Sequence, residues 1–186
     1  MVGLEQAIAD GAPRQLASGL WSQPGVFSWE RLDPGSELLI KHLPKLKGRG
    51  ADLGCGIGWL SQKVLSYPEV TSLKLIELDR RAVDCVKRNV QDPRVSLEWA
   101  DVRGASATLA DLDFVVMNPP FHDGGAEDRA LGQAFIRAAS SSLRKGGSLW
   151  LTANRHLPYE AVLGEVFKVV KPVADAGGFK VYEARR

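Results

Sequence analysis

The stretch Ala51-Asp52-Leu53-Gly54-Cys55-Gly56-Ile57-Gly58-Trp59 decides how the rest of the chain reads. It passes from a short apolar run, Ala51 to Leu53, into a helix-type pattern that opens at Trp59. Between the two, glycines stand at alternate positions. Glycine accepts positive φ and lets a ligand approach bare backbone, so such a strand-to-helix turn suits a flat or anionic group. Two phosphate loops are excluded: G-x-G-x-x-G needs glycine where Trp59 stands, and no G-x-x-x-x-G-K-[ST] occurs. Taken alone, the alternate glycines would also serve a tight turn with no ligand.

A second feature tilts the balance. Roughly 20 residues on, Leu73-Lys74-Leu75-Ile76-Glu77 ends the next β-type run in a carboxylate, at the sheet edge where an α/β fold binds a ribose through its two hydroxyls. Asp79 reads instead as the N-cap of a helix opening Arg80-Arg81. Working outward, strand-type runs at Ala51 to Leu53, Ser72 to Leu78, Val95 to Trp99, Phe114 to Met117 and Ser148 to Ala153 alternate with helix-type ones. The helix patterns are Ser36 to Leu43, Trp59 to Ser66, Arg80 to Val90, Asp128 to Leu143 and Tyr159 to Val166, with apolar spacing such as Ala82, Val83, Val86 and Val90. Strand, crossover helix, strand is the parallel-sheet unit, so an α/β fold with helices on both faces is expected. The last strands, Phe167 to Ala174 and Phe179 to Ala184, are joined by Asp175 to Gly178, too short for a crossover, and predict an antiparallel hairpin.

With 186 residues, 45% hydrophobic and 25% charged, the chain has material for one core. Residues 1–20 read as an N-terminal extension free to be disordered, and 21–186 as a single domain. A formal charge of +2 excludes a protein that coats nucleic acid by charge alone. The densest basic cluster, Lys41, Lys45, Lys47 and Arg49, reads as a solvated face or an RNA backbone contact. No run reaches the roughly 18 apolar residues of a spanning helix, and the N-terminus lacks a signal-peptide pattern, so a cytoplasmic protein with no membrane association is expected. Cys55 and Cys85 stand outside any metal-ligand spacing; reduced thiols and no metal site are expected.

Phe114-Val115-Val116-Met117-Asn118-Pro119-Pro120-Phe121 carries the chemistry. Two prolines fix φ and remove two backbone donors, leaving carbonyls as unpaired acceptors beside an Asn amide. Acceptors clustered in this way suit an amine. An exocyclic amino group is a poor nucleophile because its lone pair is delocalised, and acceptors on both N–H groups favour the tetrahedral nitrogen that attack requires. The Asn118 oxygen and the Pro119 carbonyl supply them, while Phe121 can stack on the acceptor ring.

These features together resemble the class I S-adenosylmethionine-dependent methyltransferases, a Rossmann-like fold of seven mostly parallel strands with a C-terminal antiparallel hairpin. The resemblance implies that Asp52, Gly54, Cys55, Gly56 and Gly58 hold the amino-acid end of the cofactor S-adenosyl-L-methionine, and Glu77 with Leu78 its ribose. It implies that Asp101 and Val102 bind the adenine. Asn118, Pro119, Pro120 and Phe121 match the family's N-P-P-[FY] catalytic motif, with Asn118 also beside the cofactor. The longer run Asn118 to Gly124, with Pro24-Gly25-Val26-Phe27-Ser28 and Leu32-Asp33-Pro34-Gly35-Ser36 upstream, is similar to the bacterial ribosomal RNA guanine-N2 methyltransferases. Asn154 to Tyr159 and Phe179 to Tyr182 match that family's closing elements, so the likeness spans about residues 22 to 184. Phe27, Ser28 and His122 are the expected substrate contacts, His122 as a pocket or RNA contact and not as a general base. Ribosomal RNA or the small subunit is the implied substrate. Members of that family usually carry a further N-terminal domain, for which this length leaves no room; the chain reads either as the catalytic half alone or as a stand-alone relative with a target of its own, with a helper domain or partner chain in place of that domain. Adenine N6 and a protein glutamine amide remain open as acceptors, as does a non-catalytic RNA-docking module.

Overall fold

A computed structural model describes residues 2–105, 109–120, 122–123, 126–127 and 129–186. The chain opens with α1 (Val2–Asp10), exposed in its described side chains, and a ribbon of β1 (Arg14–Gln15) against β2 (Trp21–Ser22). Helix α2 (Pro34–His42) starts where the sequence sets it: Asp33 accepts from Gly35 N and Ser36 N as N-cap, and proline takes the first turn. Glu37 lies in its first turn and Lys41 and His42 in its last, complementing the helix dipole.

The wound core follows as β3 (Gly48–Leu53), α3 (Trp59–Leu65), β4 (Val70–Glu77), α4 (Arg80–Asn89), β5 (Val95–Trp99), α5 (Val102–Ala105) and β6 (Leu112–Met117). After the two-residue ribbon of β7 (His122–Asp123) and β8 (Ala126–Glu127) come α6 (Arg129–Ser142), β9 (Leu143–Asn154) and α7 (Glu160–Val166). The hairpin of β10 (Val169–Ala176) and β11 (Phe179–Arg185) completes the chain. Seven strands form one sheet in the order β10-β11-β9-β6-β3-β4-β5. It is parallel from β9 to β5, and β11 runs antiparallel to both neighbours. This is the expected α/β sheet with its closing hairpin.

Strand alternation sorts the apolar residues onto two faces. On β6, Val115 and Met117 pack among residues of α5, α6 and α7, such as Val102, Ile136 and Leu163. Phe114 and Val116 pack on the other face, with Leu39 of α2, Val64 of α3 and Val86 of α4. Each such side chain, fully buried, contributes about 1.5 to 3 kcal/mol. A third, smaller cluster seats the opening segment on α4, where Leu20 and Val26 meet Ala82 and Cys85. Asn89 ties it down, donating to Trp21 O and accepting from Trp21 N.

Several boundaries differ from those expected: β3 opens at Gly48 and not Ala51, β6 at Leu112 and not Phe114, and Phe167 caps α7 so that β10 begins at Val169. Two further differences have a visible cause. Strand β9 begins at Leu143, directly after α6, because Leu143 already pairs with Leu112. The glycines that follow find partners, Gly146 N on Arg186 O and Gly147 O from Arg186 N. The hairpin ladder also runs on through Ala176 and Phe179, leaving only Gly177 and Gly178 in the turn. Both have positive φ, 59° and 84°, the type I′ geometry that suits the strand twist. Among the described residues no helix is long and apolar enough to cross a membrane.

Candidate functional site

Strand order reverses around β3, since β4 and β5 extend to one side and β6 to the other. A crevice forms beyond the carboxyl ends of the strands at such a point. Here it is a cavity of about 280 Å³. It is lined by Gly54 and Gly56 of the glycine loop, Glu77 and Leu78 at the end of β4, Ala100 to Arg103 after β5, and Asn118, Pro119 and Pro120 after β6.

The glycine loop is stitched to the end of β4. Gly54 N and Cys55 N both donate to Ile76 O, and Gly56 N donates to Glu77 Oε2 at 2.8 Å. Glu77 Oε1 accepts from Leu78 N at 2.7 Å and Asp79 N at 2.8 Å. Three backbone donors thus fix a carboxylate that has about four acceptor sites, which leaves capacity for a ligand hydroxyl. Gly54 and Gly56 have φ of 71° and 55°, and the ring of Phe135 lies against Gly54. Gly58 serves the fold instead: its φ is 100°, and a Cβ there would come within 2.8 Å of Val90 and 3.0 Å of Val86.

Asp52 lies beneath the loop, fully buried. Its Oδ2 accepts from Ser61 Oγ at 2.6 Å, while Oδ1 has no hydrogen-bond partner among the described residues. Burial pushes this carboxyl up to about 7, against the lowering effect of the Ser61 hydrogen bond. The Cys55 thiol is also buried and held well above its ordinary range by desolvation, which makes it inert. Asp101 takes a fork from Arg103, with Nη2 at 2.5 Å from Oδ2, and those hydrogen bonds hold its carboxyl below the usual range.

Asn118 follows the last residue of β6. Its Nδ2 donates to Asp33 Oδ1 at 3.1 Å and to Ser36 Oγ at 3.0 Å. Phe27, 55% exposed, stands at the mouth. Of the expected site residues, Gly54, Gly56, Glu77, Leu78, Asp101, Val102, Asn118, Pro119, Pro120 and Phe27 therefore meet at one cavity. Asp52, Cys55 and Gly58 support it from behind. Ser28, at φ 59°, donates its hydroxyl to Arg31 O. Phe121 and the side chain of His122 lie outside the described residues. Sequence reasoning missed Arg103, Leu131 and Phe135. The last two stand four apart on α6 and read as ordinary core, and only the loop they face marks them out.

An apolar slot between Leu78, Ala100 and Val102, a hydroxyl acceptor at Glu77 and an orphaned carboxylate oxygen at Asp52 fit a nucleoside whose far end is a charged amino acid. Among the described residues no three His, Cys, Asp or Glu side chains gather as metal ligands.

Residues 17–183 match the methyltransferase small domain family. The chain is 33% identical over 162 residues to ribosomal RNA small subunit methyltransferase C of Shewanella loihica, covering 87% of this chain and 47% of that protein. It is 34% identical to the same protein of Shewanella piezotolerans, covering 85% and 46%. It thus spans about half the length of these relatives. Among solved structures it is similar to the T. thermophilus 16S rRNA N2 methyltransferase RsmC in complex with AdoMet and guanosine. That match has a TM-score of 0.76 at 30% identity and covers 94% of this chain and 50% of the other. A precorrin-6y C5,15-methyltransferase of Geobacter metallireducens matches at a TM-score of 0.68 over 91% and 96%, but at 14% identity it shares the fold alone.

Proposed function

The chain belongs to the methyltransferase small domain family, and on that premise we propose that it is an S-adenosylmethionine-dependent N-methyltransferase acting on an exocyclic amino group, guanine N2 of ribosomal RNA. The observation that carries this reading is the Asn118 amide, held at the end of β6 across one cavity from the glycine loop and Glu77. Support for the base comes from a relative solved with AdoMet and guanosine, and for the RNA from relatives named as small-subunit rRNA methyltransferases.

When bound, the cofactor supplies an electrophilic methyl on a sulfonium. Glu77 takes the ribose hydroxyls on its remaining acceptor capacity, and the backbone of Gly54 and Gly56 with Asp52 below holds the amino-acid end. Leu78, Ala100 and Val102 enclose the adenine, with Asp101 beside its amino group. Asn118 Oδ1 and the Pro119 carbonyl accept from both N–H groups of the acceptor amine. These acceptors are fixed before charge develops on the nitrogen, so their attraction strengthens toward the transition state. Phe121 and Phe27 set the plane of the base by stacking. No protein base is needed, because the methylated ammonium is acidic enough to lose its proton to water. In this reading residues 21–186 are the catalytic domain, and a helper domain or partner chain shares in holding the RNA.

The test is transfer of radiolabelled methyl to naked rRNA and to small subunits, followed by nucleoside digestion and mass analysis. Label in N2-methylguanosine is the expected product. Label on adenine N6 or on protein glutamine would replace the acceptor, and cofactor binding without any transfer would favour a docking module.

A further inference from the structure

We infer that Asp33 and Ser36 are positioning residues for methyl transfer, holding the Asn118 amide in the single orientation that turns its oxygen toward the acceptor amine. This deepens the reading of Asn118 as amine acceptor and rests on it.

A planar side-chain amide has two orientations related by a flip, and they are chemically opposite. One presents an acceptor to the substrate amine; the other presents two donors to a group that is itself a donor. The choice here is forced. Asp33 Oδ1 lies 3.1 Å from the amide, and a carboxylate oxygen can only accept, so the facing atom must be Nδ2. Ser36 Oγ receives the same NH₂ group at 3.0 Å. Flipping Asn118 would set its oxygen against the carboxylate, so Oδ1 is directed away from α2.

The anchors are themselves fixed. Asp33 Oδ1 accepts from Gly35 N and Ser36 N at 3.0 Å each, which makes it the N-cap of α2 as well as the brace for Asn118. Pro34 sets φ in the first turn, and Ser36 is buried. Gly35 lets this helix end approach β11, since a Cβ there would fall 2.7 Å from the ring of Phe179. Capping alone does not demand Asp, because Ser caps a helix about equally well. The longer acceptor is needed to reach Asn118.

That difference supplies the test. Asp33→Ser keeps a capping oxygen but is one atom too short for the amide, whereas Asp33→Asn restores an acceptor of full length. We expect Asp33→Ser to stay folded, its unfolding midpoint lowered by no more than one hydrogen bond, and to keep its cofactor affinity while kcat drops about tenfold, the scale of one lost hydrogen bond. Asp33→Asn should recover most of that loss. In ¹⁵N NMR of the cofactor-free protein, the Asn118 side-chain NH₂ should exchange slowly in wild type and Asp33→Asn, and quickly in Asp33→Ser. Full kcat and a protected amide in a stable Asp33→Ser protein would overturn the inference, leaving Asp33 as a cap only. Full activity in Asn118→Ala would instead overturn the reading of Asn118 beneath it.

Discussion

Glu77 fixes the glycine loop through one carboxylate and, in the proposed reading, binds the cofactor with the same group, so its removal acts on both. Glu77→Ala should weaken cofactor binding by about 1.5 to 3 kcal/mol, the worth of hydrogen bonds to a charged group, as calorimetry would register. Unchanged affinity would move the ribose site elsewhere. Asn118→Ala should spare that affinity and lower kcat by about 10²- to 10³-fold, the precedent for deleting one fixed polar group around a developing charge. Single-turnover transfer from saturating cofactor is the measurement. Asp52 makes a different prediction. Its folded-state pKa of about 7 lies above the ordinary 3.8, so between those values the native state keeps a proton that the unfolded chain has released. The Asp52 contribution to stability is therefore complete below about pH 4 and is lost as pH rises toward 7. Asp52→Asn, uncharged throughout, should flatten that part of a thermal-melt profile from pH 4 to 8; an unaltered profile would show that the carboxyl titrates normally.

Among the elements, β3 pairs on both sides and carries the glycine loop at its end. Gly50 sits opposite Phe114 of β6, and a Cβ there would fall 2.1 Å from two ring atoms. Gly50→Ala should therefore cost about 1 to 3 kcal/mol by overpacking, seen as a lower urea midpoint, with the cofactor loop loosened in step. A wild-type midpoint would mean that the ring can leave its place freely. The pattern of strands and helices was legible because each apolar period lies within one continuous segment. The early start of β9 was not, since it depends on a partner, Leu112, that local sequence does not specify.

Over the whole molecule, charge is distributed away from the cavity. Around the two hollows at the opposite edge of the sheet, seven basic side chains, among them Lys45, Lys145 and Lys168, face four acidic ones. That local surplus exceeds the +2 of the full chain, while the cavity itself sets Arg103 against Glu77 and Asp101. Among the described residues the cavity thus offers little attraction to phosphate. The chain by itself should bind rRNA with a Kd of about 10⁻⁶ M or weaker at physiological salt, and more weakly still as salt rises. Filter binding across a salt series is the check, and a tight, salt-insensitive complex would contradict it.

What the sequence determined by itself was whatever a few adjacent residues can set. Alternate glycines permit positive φ, two prolines fix φ and delete donors, and the short link Asp175 to Gly178 leaves no room for a crossover. Those local constraints gave the glycine loop after β3, the Asn-Pro-Pro turn after β6 and the antiparallel close. Tertiary structure alone decided that β11 lies between β9 and β10, that Asp52 supports the loop from a buried position, and that Phe135 covers Gly54. It alone brought Asp33 to Asn118 across 85 residues of chain. Each of these depends on which surfaces pack together, and packing between distant segments follows from the shape of the whole core, which no short run of sequence encodes.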